Sequence, residues 1–162
     1  MATKSDGLAT RFETKVREAT DVLDRLTDAD WRKTTRAENW TVGVTVHHLA
    51  SAYEAVPGIV TTIASGGSRG PFTRAMLDEL NARHAKEHAA CTKRETLALL
   101  CRTAASAASL VRGLGDDQLA KSGIVFDDAP PMTAEQLITR ALIEHTDEHL
   151  RSIRETVETR AA

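Results

Sequence analysis

The most informative segment of the sequence is Leu142-Ile143-Glu144-His145-Thr146-Asp147-Glu148-His149-Leu150. His145 and His149 are four residues apart, which places both rings on one face of an α-helix, about one turn from each other. Apolar residues occupy the same face, and an apolar helix face packs into a protein core. The pattern therefore predicts a long C-terminal helix whose two histidines point into a helical bundle. Their face also carries the apolar residues Ile138, Ala141, Leu142 and Ile153.

Two buried imidazoles without a partner are costly, and a shared divalent metal ion would remove that cost. A third ligand then has to come from another helix. Of the adjacent His47 and His48, His48 shares its helical face with apolar residues, whereas the face of His47 is more polar. We therefore expect His48, His145 and His149 to bind one divalent ion, zinc or nickel in the first place and iron or manganese as alternatives. The apolar face of His48 comprises Val44, Ala52, Ala55 and Ile59.

Thr146 excludes two other metal motifs that occur on helices. A zincin requires His-Glu-x-x-His, and a di-iron bundle requires Glu-x-x-His, but Thr146 stands where each motif has its glutamate. What remains is a three-histidine site with open positions for water or substrate. No catalytic acid or base can be assigned from these residues.

Five segments carry the apolar spacing of helices. The second contains Pro57-Gly58, where we expect a kink or a break. Thr41, Thr92 and Thr133 are placed as N-caps, and the last two begin capping boxes. A loop over residues 116–132 holds the strand-like residues 124–126. The expected helices span about residues 5–26, 41–64, 71–90, 92–115 and 133–158.

These segments predict an all-α four-helix bundle with short helices in its connections, forming a single domain over residues 1–162. The 21 basic and 23 acidic residues nearly balance, so nucleic acid is an unexpected partner. The chain shows no apolar run that could span a membrane and no signal sequence at its start. Cys91 and Cys101 are too few for a disulfide framework, and we expect a cytoplasmic protein.

A second pair of histidines, His84 and His88, has the same four-residue spacing and shares a face with Asn81. Two interpretations stay open for this pair. In the first, the histidines are polar residues at the edge of the bundle. In the second, Asn81 and His84 contact the substrate or support the metal site. Cys91 has no evident third group to orient it, so nucleophilic catalysis by this thiol is not expected.

Two motifs resemble those of the DinB-like superfamily, which includes bacillithiol S-transferases and mycothiol-dependent maleylpyruvate isomerases. One is the stretch from Trp40 through Thr41 to His48-Leu49-Ala50, and the other is the His-x-x-x-His motif at His145 and His149. In the superfamily pattern, the histidine eight residues after the tryptophan is a metal ligand, which corresponds to His48 here. The resemblance covers nearly the whole chain and implies a four-helix bundle with a long crossover connection, commonly a homodimer.

The resemblance also implies a metal-dependent transferase or isomerase whose co-substrate is a low-molecular-weight thiol such as mycothiol. Its partners would be that thiol and a small electrophile, with Asn81 and His84 orienting one of them. Two alternatives stay open: a non-catalytic metal- or ligand-binding bundle of the stress response, and a metal-dependent hydrolase. The loop at Phe126-Asp127-Asp128 is expected to cover the mouth of the pocket.

Overall fold

The computed structural model describes residues 1–158 as four long helices packed around one core, with shorter helices in the connections. A two-stranded antiparallel sheet pairs β1 with β2. The C-terminal helix is continuous but changes type, from α7 through a π-helical segment into α8. The elements are α1 (Lys4–Asp24), α2 (Asp28–Trp31), α3 (Val42–Ala64), α4 (Arg74–Glu87), α5 (Lys93–Arg112), α6 (Asp116–Ala120), β1 (Ser122–Gly123), β2 (Met132–Thr133), α7 (Ala134–Ile138), the π-helical segment (Thr139–Glu144) and α8 (His145–Glu158).

The bundle consists of α1, α3, α5 and the C-terminal helix, and α4 is its long crossover connection. The Trp31 indole, at the end of α2, packs on Gly43 in the first turn of α3 and donates its N–H to the carbonyl of Cys91, just before α5. Helices α3 and α5 therefore begin at the same end of the bundle and run parallel. Two parallel neighbours need a connection that returns along the bundle, and α4 supplies it. The expected four-helix bundle with a crossover is thus confirmed.

Threonine side chains fix the start of most helices. Thr41 accepts a hydrogen bond from the amide of Val44, and Thr133 forms a capping box with Gln136, as predicted. Such caps satisfy amides that have no partner inside the helix, and each typically contributes about 1 kcal/mol. Because a cap depends on residues three apart in sequence, these boundaries could be predicted locally.

Two expectations about the connections are wrong. The third helix begins at Arg74 and ends at Glu87, not near residues 71 and 90, because Thr73 caps it. The loop over residues 116–132 contains α6, one of the expected short helices, but its strand is Ser122–Gly123 instead of residues 124–126. Pro57 does not break α3, which continues to Ala64. In the part of the chain that the structure describes, no helix is long and apolar enough to cross a membrane.

Candidate metal centre

Three imidazole rings meet where α3 packs against α8. The Nε2 atom of His145 lies 3.2 Å from the Nε2 atom of His48 and 2.8 Å from that of His149. Their ligand atoms all lie within 4.8 Å of one another. Tetrahedral binding at about 2.0–2.1 Å per bond would place ligand nitrogens roughly 3.3 Å apart. The structure thus brings together the three predicted side chains at a separation suited to one ion.

The rings do not sit on the most deeply buried face of either helix. On α8 the buried stripe is Thr146, Leu150 and Ile153, and both histidines flank it with a small part of each residue exposed. On α3 the expected face is wrong in part, because Ala55 is exposed. The histidines therefore line the margin of the core, where one side of each ring packs and the other remains reachable.

The π-helical segment sets the register of the two C-terminal ligands. The backbone N–H of His145 donates to the carbonyl of Arg140, five residues earlier, where an α-helix would use the residue four earlier. The Thr146 hydroxyl donates to the carbonyl of Leu142 at 2.6 Å and lies 2.5 Å from the hydroxyl of Tyr53. These contacts stabilise the segment immediately before and within the histidine pair. No pattern in the sequence indicated this π-helical segment.

Glu38 is a site residue that the sequence analysis missed. Its carboxylate accepts a hydrogen bond of 2.7 Å from Nδ1 of His149 and one of 2.6 Å from the hydroxyl of Ser152. The Glu38 and His149 side chains are only 10% and 13% exposed. Burial alone would raise the pKa of Glu38, but the hydrogen bonds from His149 and Ser152 outweigh it and lower the pKa to about 2. Glu38 is therefore a fixed anion behind His149, in the position of a carboxylate that orients a metal-binding histidine.

The loop before α3 delivers Glu38 and Trp40 together. Asn39 between them adopts the left-handed conformation with φ of 59°, which asparagine tolerates better than most residues. The Trp40 ring lies 5.2 Å from the His48 ring, centre to centre, so the tryptophan packs against a ligand candidate. That closeness of Glu38 to Trp40 in sequence is the one signal that could have indicated the carboxylate.

Burial keeps His48 and His145 neutral at neutral pH. Desolvation, followed by repulsion from the neighbouring imidazoles, lowers the pKa of His48 to about 3. The same two causes lower the pKa of His145 to about 4, while a hydrogen bond to the Ala141 carbonyl acts in the opposite direction. Neutral imidazole is the form that binds a metal ion.

The hydrogen bonds around the site direct the Nε2 atoms of two rings toward each other. His149 turns its Nδ1 to the Glu38 carboxylate, and His145 turns a ring N–H toward the Ala141 carbonyl. Their Nε2 atoms lie 2.8 Å apart, a separation at which two imidazoles share either a proton or a metal ion. Three convergent imidazole nitrogens with a carboxylate behind one of them are a donor set that fits a divalent metal ion.

A second group of histidines lies next to the first. His47 Nδ1 is 3.1 Å from Nε2 of His84, and the His47 ring stacks on the His88 ring with centres 3.8 Å apart. Burial, and then the charges of neighbouring histidines, lower the pKa of His47 and lower that of His84 to about 4. His47 was expected to face away from the site on a polar face, yet it is half-buried in this group.

Asn81 and His84 remain predictions as substrate-contacting residues. The His84 ring centre lies 6.0 Å from that of His48, close enough to border the first group. Asn81 is half-buried on α4, one turn before His84. His88, treated only as the partner of His84 in the sequence analysis, contacts His47 as well.

The loop at residues 126–128 does not cover the histidines. Phe72 exchanges hydrogen bonds with Asp127, and the Arg74 amide donates to Asp128, so the loop docks at the start of α4. His84 lies ten residues further along the chain, about 15 Å at the rise of an α-helix. A cleft of about 330 Å³ between α2 and the turn before α5 contains none of the histidines either.

The helical bundle is similar to three solved structures of known proteins. YfiT from Bacillus subtilis, described as a probable metal-dependent hydrolase with an unusual four-helix bundle topology, superposes with a TM-score of 0.77 at 22% identity, covering 96% of this chain and 86% of that one. Mycothiol-dependent maleylpyruvate isomerase gives 0.73 at 13% identity, and a mutant form gives 0.75 at 11%. This chain, 94% of it aligned, spans only 63% of each isomerase chain.

At these identities the structural matches establish the fold alone. No curated protein sequence matches the chain significantly. The family model of the mycothiol maleylpyruvate isomerase N-terminal domain, however, matches residues 12–149, which include all six histidines. The chain therefore belongs to the mycothiol maleylpyruvate isomerase N-terminal domain family, within the DinB-like superfamily.

Proposed function

We propose that this protein is a metal-dependent transferase or isomerase whose co-substrate is a low-molecular-weight thiol, with mycothiol as the first candidate. His48, His145 and His149 would hold one divalent ion, with zinc or nickel preferred. The observation that carries the proposal is the convergence of three Nε2 atoms with Glu38 behind His149. Membership in the isomerase-domain family supports the choice of a thiol as co-substrate.

A divalent ion held by three neutral histidines would supply a positive charge that lowers the pKa of a coordinating thiol and keeps it nucleophilic near pH 7. The chain's own residues have separate tasks. Glu38 fixes the ring of His149, and Trp40 packs on the ring of His48. Asn81 and His84 are proposed to orient the thiol or the electrophile from the α4 side.

A metal-dependent hydrolase is the second candidate, favoured by the likeness to YfiT. Hydrolysis by metal-activated water commonly uses a carboxylate as general base. The carboxylate at this site is Glu38, and both of its oxygens are engaged, by His149 and by Ser152. Its pKa of about 2 also makes it a weak base. Thiol chemistry would need no such base, because a thiol coordinated to a divalent ion would release its proton to solvent near neutral pH.

The first test is elemental analysis and activity of protein purified without a histidine tag, comparing wild type with His145→Ala. We expect the tightest equivalent of metal to be lost in the variant, together with thiol-dependent turnover. The matched control is Lys86→Ala, an exposed residue on α4, which should change neither. Full metal content and full activity in His145→Ala would contradict the proposal.

The activity screen combines mycothiol, bacillithiol or glutathione with a small electrophile. Turnover that requires a thiol supports the first candidate, and ester or amide hydrolysis without thiol supports the hydrolase. Metal binding with no turnover in either assay would leave a non-catalytic binding protein. The homodimer implied by the resemblance also stays a prediction, which light scattering in solution would test.

A further inference from the structure

The second histidine group has the composition of a metal site but lies outside the predicted one. His47 comes from α3, while His84 and His88 come from the end of α4. One ring nitrogen from each lies within 4.8 Å of the others, and the His47–His84 nitrogen distance is 3.1 Å. Three imidazole donors on two elements satisfy the ligand count of an open zinc site.

The fold holds these two elements in place through Trp31. Its ring lies directly on Gly43, one turn before His47, where a Cβ atom would come within 2.5 Å of the indole nitrogen. The same indole N–H donates to the carbonyl of Cys91 at 3.0 Å, and the Cys91 amide donates to the carbonyl of His88 at 3.1 Å. Trp31 thus connects the helix turn that carries His47 to the chain segment that carries His88.

His47 and His48 are neighbours in sequence but serve different groups. Consecutive residues on an α-helix point about 100° apart, so one ring turns toward α8 and the other toward α4. The His84 ring lies closer to His47, at 4.9 Å between centres, than to His48, at 6.0 Å. The two groups are therefore adjacent but separate in their ligands.

We propose that His47, His84 and His88 form a second binding site for a transition-metal ion, distinct from the site of His48, His145 and His149. The ligand is a divalent ion that prefers imidazole nitrogen, such as zinc, nickel or cobalt. The site is weaker than the first, because no carboxylate of the described residues hydrogen-bonds to any of its three rings in the way Glu38 does to His149.

Binding requires one adjustment. The His47 and His88 rings stack with only 18° between their planes, and lone pairs in parallel planes do not converge on one point. His88 follows the last residue of α4 and is half-exposed, so its ring can turn about its side-chain bonds. We therefore expect this second site to bind and release its metal ion rapidly.

The test is a zinc titration of untagged, metal-free protein in competition with a chromophoric chelator. Wild type should bind two equivalents in two affinity classes. His88→Ala should lose the weaker class, by at least about tenfold in affinity, and keep the tighter one. His145→Ala should lose the tighter class and keep the weaker one. The double variant should bind neither.

Lys86→Ala, an exposed neighbour on α4, is the control and should match wild type. Circular dichroism melting of each variant establishes that the bundle remains folded, and His88→Gln provides a second, more conservative removal of the ligand. A single equivalent in wild type, or two unchanged classes in His88→Ala and His88→Gln, would overturn the proposal. The proposed function fails on a different result, namely unchanged tight binding in His145→Ala.

Discussion

The two histidine groups use the same residue type at similar nitrogen separations, yet they differ in what surrounds them. In the group on α8, Glu38 accepts from His149 and Ser152 and fixes one ring from behind. In the group on α4, the side chains of the three histidines contact mainly one another. The first is a preorganised donor set, whereas the second has to reorient a ring to receive an ion.

The difference shows that ligand spacing alone does not define a metal centre. Both groups contain a pair four residues apart on a helix and a third histidine from α3. Among the residues that the structure describes, a buried anion that selects the tautomer and orientation of a ligand lies beside the first group alone. The affinity of each site should therefore depend on its surroundings more than on its histidine count.

The largest expected effect is acid destabilisation of the metal-free protein. The folded state keeps His48 and His145 neutral, with pKa values of about 3 and about 4, whereas the unfolded chain protonates them near 6.5. The unfolded state thus binds more protons below pH 6.5, and stability falls as pH decreases. At pH 5 each residue should cost about 2 kcal/mol, so roughly 4 kcal/mol together.

Denaturant unfolding in EDTA at pH 7.5 and at pH 5 measures this loss. His48→Gln should remove about half of it, because glutamine does not titrate. His84→Gln should remove less, since His84 is more exposed than His48. Equal losses in wild type and His48→Gln would show that His48 does not contribute to the acid destabilisation and would contradict this prediction.

Glu38→Gln tests the main difference between the two groups. The amide loses the negative charge that His149 and Ser152 contact, so metal affinity at the first site should fall by about 10–100-fold. The second site should be unaffected, because Glu38 makes no hydrogen bond to its described rings. Competition titration measures both. Glu54→Gln, an exposed change on α3, is the matched control.

Gly43→Ala should disturb the second group through the contact between Gly43 and the Trp31 ring. The new Cβ would lie 2.5 Å from the Trp31 indole nitrogen, and such overpacking should reduce the free energy of unfolding by about 1–3 kcal/mol. Gly58→Ala on the same helix meets nothing within 4 Å and should instead stabilise by about 0.5–1 kcal/mol. Thermal melts give both values. The Gly43 variant should weaken the second site while the first keeps its affinity.

The smallest expected effect belongs to Tyr53→Phe. Because the Thr146 hydroxyl donates to the Leu142 carbonyl, Tyr53 is the donor in the contact with Thr146. Removing that buried bond should cost about 0.5–1.5 kcal/mol. Thr146→Val removes both bonds and leaves the tyrosine hydroxyl unpaired, so its melting temperature should fall further. A Tyr53→Phe protein with wild-type stability would show that the contact adds nothing to the π-helical segment.

Most of the fold could be predicted because its signals are local. Thr41 and Thr133 cap helices through residues three positions away, and the helical periodicity depends on spacing alone. The start of α4 was misplaced because Thr73 caps the helix while Phe72, just before it, is held outside the helix by Asp127, 55 residues distant in sequence. Long-range hydrogen bonds of this kind leave no periodic pattern in a sequence.

In the candidate site, too, the residues with local sequence signals could be predicted and those placed by long-range contacts could not. His145 and His149 share a helix face by spacing, and the resemblance agreed with the choice of His48. Glu38 was not predictable, since it lies in an irregular turn and meets His149 across 111 residues. The place of His47 beside His84 depends on how α4 packs, and no described residue of α4 is buried to reveal its packing face.

The direction in which His145 and His149 point depends on the number of residues in the π-helical segment. One turn of a π-helix holds about one residue more than an α-helical turn, and this surplus lies directly before His145. Removing a residue from Thr139–Glu144 would restore ordinary α-helical winding and rotate everything after it by about 100° relative to α7. Both ligands on α8 would then turn away from His48, although every side chain of the site would still be present.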